Sequence, residues 1–186
     1  MEQKLYELIG EDEQVLWMGK PQFKTLGETH KSIFAVKALL VAFALIAFFS
    51  YYFIGVLNGT IQFKAMVPVI MIVIGAVPVM LEWLDAKKMQ KTVYALTDRR
   101  MISLVDGAVH AVEYDKVKEY KFEKDADGQV SLVCGKDVMK TSPRNYRTNA
   151  VYGLSMSGDN TVCERFVLYA IPEADEVKKL AAKLLK

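Results

Sequence analysis

The chain has 186 residues, of which 52% are apolar, and a formal net charge of +2. That length allows one domain or two small ones. The near-balance of charge excludes bulk nucleic-acid binding, which needs a strong basic excess on one face. The apolar fraction exceeds what a soluble protein usually carries.

The excess is local, most of it lying between Ile33 and Leu84. Residues 1–31 read as an N-terminal cytoplasmic segment, 32–84 as a transmembrane helical hairpin and 85–186 as a cytoplasmic domain. Ala38 to Leu57 is a run of 20 residues without a charge, and Ala65 to Leu84 is a second run of 20 whose only charge is Glu82. A helix rises about 1.5 Å per residue, so either run can cross a hydrocarbon core about 30 Å thick. In lipid the backbone must bond within its own segment, which makes both runs helices. The seven residues from Asn58 to Lys64 join them and force an antiparallel pair. That loop holds only Lys64, whereas Lys20, Lys24, Lys31 and Lys37 precede the first run and Lys87, Lys88, Lys91, Arg99 and Arg100 follow the second. Basic residues stay on the cytoplasmic side, so both termini are expected there and the chain is expected in the cytoplasmic membrane as a multi-pass protein. Tyr51, Tyr52 and Phe63 suit the outer interface, and Trp83 the inner one.

Lys37 and Glu82 lie at the same edge of such a hairpin. A lone carboxylate at that depth is protonated, snorkels outward or finds a cation. A Lys37–Glu82 pair would fix the rotation of the two helices, the alternative being that each reaches water by itself.

From Thr92 the pattern changes to short alternating runs. Strands are predicted at Thr92 to Leu96, Met101 to Val105, Val109 to Tyr114, Lys118 to Lys124, Val130 to Cys134, Ala150 to Ser155 and Arg165 to Ile171. The turns are Thr97-Asp98-Arg99-Arg100, Asp106-Gly107 and Asp125-Ala126-Asp127-Gly128. Lys136 to Asn149 reads as a polar loop. Seven short strands with this punctuation predict a sandwich or partly open barrel. A helix from Pro172 to Leu185 follows, with Val177, Leu180, Ala181 and Leu184 on one apolar stripe. That stripe is expected to cap the open end of the barrel, the alternative being a helix lying on the membrane surface.

Seven strands and a closing helix is the order of a pleckstrin-homology domain. Three stretches carry a likeness in the residues themselves. Gly10 to Pro21 (GEDEQVLWMGKP) is an acidic run, then Val-Leu-Trp, then Gly-x-Pro; Thr92 to Ile102 (TVYALTDRRMI) contains Tyr-x-Leu-Thr-Asp-x-Arg; Ile171 to Leu180 (IPEADEVKKL) starts Ile-Pro-acidic. In these the chain resembles the bacterial pleckstrin-homology-like membrane proteins. The resemblance implies an α+β membrane protein, with a two-helix transmembrane hairpin and a seven-strand partly open barrel or sandwich closed by the C-terminal helix. It implies no ligand.

Chemistry is sparse. The only histidines are His30 and His110, and neither has a partner at metal-ligand spacing. Cys134 and Cys163 could sit on neighbouring strands and pair, or stay reduced in the core. Asp125-x-Asp127-Gly128 resembles a calcium loop, but Cys134 falls where the bidentate Glu is required. Gly153 to Ser157 lacks the final glycine of a nucleophile elbow. No catalytic residue, metal ligand or cofactor is therefore expected, and the chain reads as non-enzymatic. What remains is binding or scaffolding next to the bilayer, for a protein partner or as a homo-oligomer. The rival class is anionic lipid-headgroup recognition by a basic cluster of Lys87, Lys88, Lys91, Arg99 and Arg100. A basic pocket formed by the first hairpin, as opposed to scattered charges, would favour the rival.

Overall fold

The computed structural model describes residues 2–10, 12–22, 31–125, 128–139, 142 and 145–185. The chain divides into two compact units: Met1–Phe23 together with Lys87–Lys186, and Lys24–Ala86. The first residues thus pack with the C-terminal part, to which they supply a helix and an edge strand. The described residues form an α+β fold of two antiparallel sheets and six helices.

In the strand unit, α1 (Glu2–Leu8) precedes β1 (Val15–Gly19). β1 pairs with β2 (Thr92–Thr97), β2 with β3 (Arg100–Val105) and β3 with β4 (Ala108–Glu113), which completes the first sheet. The second sheet has the order β5-β6-β8-β7, from β5 (Tyr120–Lys124), β6 (Val130–Cys134), β7 (Ser155–Met156) and β8 (Cys163–Leu168). Among the described residues there are eight strands where the pattern predicts seven. The addition is β1, whose Trp17 is buried opposite Leu96.

Half of the predicted strand Ala150 to Ser155 is helix, Ala150 to Tyr152, and its last residue alone is in a strand. Tyr146–Tyr152 forms α5, which buries Tyr146, Ala150 and Val151 on one face and ends at Gly153 with φ of 74°. The side chains that decide this, one helical turn apart, straddle the limit between the apparent loop and the apparent strand. Within the expected loop Lys136 to Asn149, Lys136–Met139 is a short helix, α4. The last helix, α6 (Ala174–Leu184), buries Val177 and Ala181, and Leu185 just beyond it is buried in the same core. Its apolar stripe is therefore used inside the protein and is not free to lie on a membrane.

The helix unit contains α2 (Lys31–Leu57) and α3 (Met66–Gln90) as far as Ala86. Among the described residues, Ala38–Leu57 is the one segment long and apolar enough to cross a membrane, and Met66–Val77 is a shorter apolar helix. The apolar surface of α2 is not core, since Leu39, Phe43 and Leu57 are 71%, 70% and 85% exposed. α2 and α3 approach closely at Gly75, where a Cβ would lie 3.2 Å from Leu45 and 3.3 Å from Val41. The link between the helices is pinned by Tyr52. Its hydroxyl donates to the Lys64 carbonyl at 3.1 Å and accepts the Lys64 amide at 2.7 Å. Tyr52 is thereby buried, whereas Tyr51 and Phe63 are exposed.

Candidate functional site

The turn between β2 and β3 holds a dense polar network. Thr97 closes the turn: its Oγ1 accepts the backbone N–H groups of Arg100 at 2.9 Å and Arg99 at 3.2 Å. The same hydroxyl lies 2.7 Å from Glu13 Oε1, to which it donates. Tyr114, just after β4, donates its hydroxyl to the Thr97 carbonyl at 2.7 Å. Asp98 binds the backbone of Gln14 twice, through its carboxylate and its own N–H, each at 3.0 Å.

Arg100 completes the clamp. Its Nε donates to Glu13 Oε1 at 2.9 Å, and its Nη2 to Glu13 Oε2 at 2.7 Å and to the Leu8 carbonyl at 3.2 Å. This forked geometry is the strong form of a guanidinium–carboxylate contact. The Glu13 side chain is only 5% exposed. The hydrogen bonds from Arg100, aided by Thr97, outweigh the cost of burial and hold the Glu13 carboxyl down to about 2. Burial pushes the Tyr114 hydroxyl upward, so it stays a donor.

A cleft of about 420 Å³ opens beside this clamp, bounded by Leu8, Asp12, Glu13, Arg99, Arg100 and Glu113. Three carboxylates face two guanidiniums, and one of the guanidiniums is already bound. This is a mixed-charge cleft. The basic pocket that would favour a headgroup is not what the first hairpin forms.

The five cations expected as one cluster are divided. Arg99 and Arg100 lie at the turn end of β2 and Lys91 at its other end, which at about 3.3 Å per residue separates them by about 20 Å. Lys91 is paired with Asp106 at 3.0 Å, while Lys87, Lys88 and Arg99 are exposed. The side chains of Lys37 and Glu82 lie outside the described residues, so the expected pair does too. Glu13, Asp12 and Glu113 were not singled out by sequence reasoning. An acidic run such as Gly10 to Glu13 looks like solvated loop, and nothing in it names a partner at position 100.

Other titratable groups are tied into the packing of the strand unit. The Tyr146 hydroxyl donates to Glu123, whose other contact is Lys121 at 2.7 Å, tying β5 to α5. His110 packs on Gly153, and burial lowers its pKa. Cys134 and Cys163, on the paired strands β6 and β8, are both free and buried, and burial pushes both thiols up, Cys163 to about 11. Among the described residues no three metal-ligating side chains gather.

The three motif stretches meet in the fold. Gly10 to Pro21 reaches Thr92 to Ile102 through Glu13, Gln14 and β1, and reaches the last stretch where Gly19 packs against Pro172. No family model, curated protein or solved structure matches the chain.

Proposed function

We propose that the chain is a membrane-anchored, non-enzymatic module of the bacterial pleckstrin-homology-like kind. In this reading α2 and α3 are a transmembrane hairpin with both termini cytoplasmic. The strand unit is a pleckstrin-homology-like domain presented at the inner leaflet, where it binds a protein partner or organises a membrane complex. The exposed apolar surface of α2 supports the anchor, because aliphatic side chains left in water over 20 residues are a cost that lipid removes.

One observation favours a protein over a lipid ligand. Arg100, the cation best placed in the first hairpin, is held by Glu13, and the cleft beside it carries Asp12 and Glu113. An anionic headgroup entering there would meet carboxylates. Affinity purification of the full-length chain from mild detergent, with identification of co-purifying proteins and lipids, tests the reading. Selective recovery of a protein is the expected result. Recovery of anionic lipid with no protein would replace it with lipid sensing or lipid handling.

A further inference from the structure

The two sheets have four edge strands, β1 and β4 in the first and β5 and β7 in the second. An edge strand offers unpaired N–H and C=O groups to any other chain, and folded proteins blunt it with a bulge, with charged side chains or by keeping it very short. Three of these four edges are blunted in such ways. β1 has a register shift between Val15 and Trp17. β5 carries Lys121, Glu123 and Lys124 among its five residues. β7 is two residues long and irregular.

β4 has none of these devices. Its six residues pair with β3 one for one without a shift, and it holds no proline and no charge before Glu113 at its end. Ala108 and Val109 are exposed, Val109 to 42%, and His110 and Ala111 are half-buried. Among the described residues, no backbone hydrogen bond outside the β3–β4 ladder involves Ala108 to Glu113. The strand is a regular, uncharged edge with an exposed aliphatic side chain, the form that invites pairing with another strand.

We propose that β4 is a pairing edge whose occupant is the β4 of a second copy of this chain, joined antiparallel about a two-fold axis at His110. The order of its own side chains points to that occupant. A two-fold axis normal to a sheet sets one residue opposite itself and the flanking residues opposite each other in reverse order. Centred on His110, Ala108 meets Val112 and Val109 meets Ala111, each pair occurring twice. Every branched side chain then faces a methyl group. Glu113 falls opposite Gly107, away from its own counterpart. Like charges directly opposite each other would resist pairing, and this register sets no two carboxylates together. Two sheets of four strands become one of eight, and Val109 leaves water. The inference goes beyond the proposed function, since such a dimer needs no other protein and its failure leaves that reading standing. So short an edge buries little area, so the dimer is expected to be weak, and trapping is the way to read it.

The test uses the full-length chain in membranes of the cells that express it. Val109→Cys and Ala111→Cys are made in two differently tagged copies, expressed together and exposed to a mild oxidant. Directly opposite residues bring Cβ atoms to about 4.5–5.5 Å and diagonal ones only to about 7–8 Å, whereas a disulfide needs about 3.5–4.5 Å. The mixed pair should therefore cross-link about tenfold faster than Val109→Cys with itself. His110→Cys, on the axis, should cross-link to its own copy, which keeps the test decisive if either other variant folds poorly. Cys134 and Cys163 are buried and should add no background. Ala108→Lys in both copies puts a charge on the exposed edge and should cut the yield about fivefold without moving Tm. If neither the mixed pair nor His110→Cys cross-links, or if the yield ignores Ala108→Lys, the proposal is overturned. A disulfide from Val109→Cys to a different protein also overturns self-pairing, because it gives the edge to a foreign strand.

Discussion

Breaking the Glu13–Arg100 contact from its two sides should have unequal consequences. The Glu13 carboxylate is 5% exposed and the Arg100 side chain 33%. Removing Glu13 leaves a guanidinium that turns to water. Removing Arg100 strands a buried carboxylate and frees the Leu8 carbonyl as well. A carboxyl held at about 2 against an ordinary 4.5 corresponds to roughly 3 kcal/mol of stabilisation at neutral pH, reduced to about 2 by the exposure of its partner. Glu13→Gln, which keeps some hydrogen bonding, should therefore cost about 1–2 kcal/mol, and Arg100→Met about 3 kcal/mol. For a unit of this size these become falls of roughly 5 °C and 10 °C in Tm. The pH dependence separates them further. The depressed Glu13 pKa gives stability that is complete above the unfolded value of 4.5 and is lost as pH falls toward 2. Wild type should weaken between pH 5 and 3 by more than Glu13→Gln does. In Arg100→Met the largest lowering influence on the carboxyl is gone, while burial still raises it and the Thr97 and Gly10 hydrogen bonds still lower it, so that variant should lose less stability than wild type as the medium is acidified. The assay is thermal unfolding followed by near-ultraviolet circular dichroism of the full-length protein in mild detergent. Equal losses in the two variants, or identical pH slopes, would refute this account of the clamp.

Tyr94→Phe leaves the buried Tyr169 N–H without its acceptor at 3.1 Å and should cost about 1–2 kcal/mol in the same melt. Gly135→Ala should destabilise by roughly 2–4 kcal/mol, since φ there is 95° and a Cβ would collide with the Glu164 carbonyl; recovery of a wild-type Tm would contradict that. Cys134 and Cys163 should resist thiol reagents at pH 8 until the protein unfolds, and fast labelling of the native state would show that the second sheet is open. A reporter fused at Lys186 should be active only in the cytoplasm and one within Asn58 to Lys64 only outside it; an exported, active reporter at Lys186 would remove the membrane topology.

How far the sequence could be read followed from the range of each signal. The charge-free run from Ala38 to Leu57 is local and needs no partner to be recognised, so the apolar helix was legible. The Thr97-Asp98 turn was legible for the same reason: a hydroxyl and a carboxylate that bond nearby backbone mark a turn wherever they stand. The clamp was not, because Glu13 and Arg100 are 87 positions apart and one sequence carries no record of which acid meets which base. β1 was missed as a strand because five residues alone, with two long helices before the next strand, make no alternating neighbourhood. That interruption also bears on folding. β1 and β2 are neighbours in the sheet, yet everything from Lys31 to Gln90 is threaded between them. Closing so long a loop is slow relative to forming the β2–β3 hairpin. A fragment of residues 85–186 keeps that hairpin and the second sheet, but it leaves Val93, Ala95, Ile102 and Leu104 without α1 and Leu96 without Trp17. The contribution of residues 1–23 is thus the last to arrive and the one that turns an aggregation-prone sheet into a finished unit, which is why it is fastened by charge and hydrogen bonds as well as by burial.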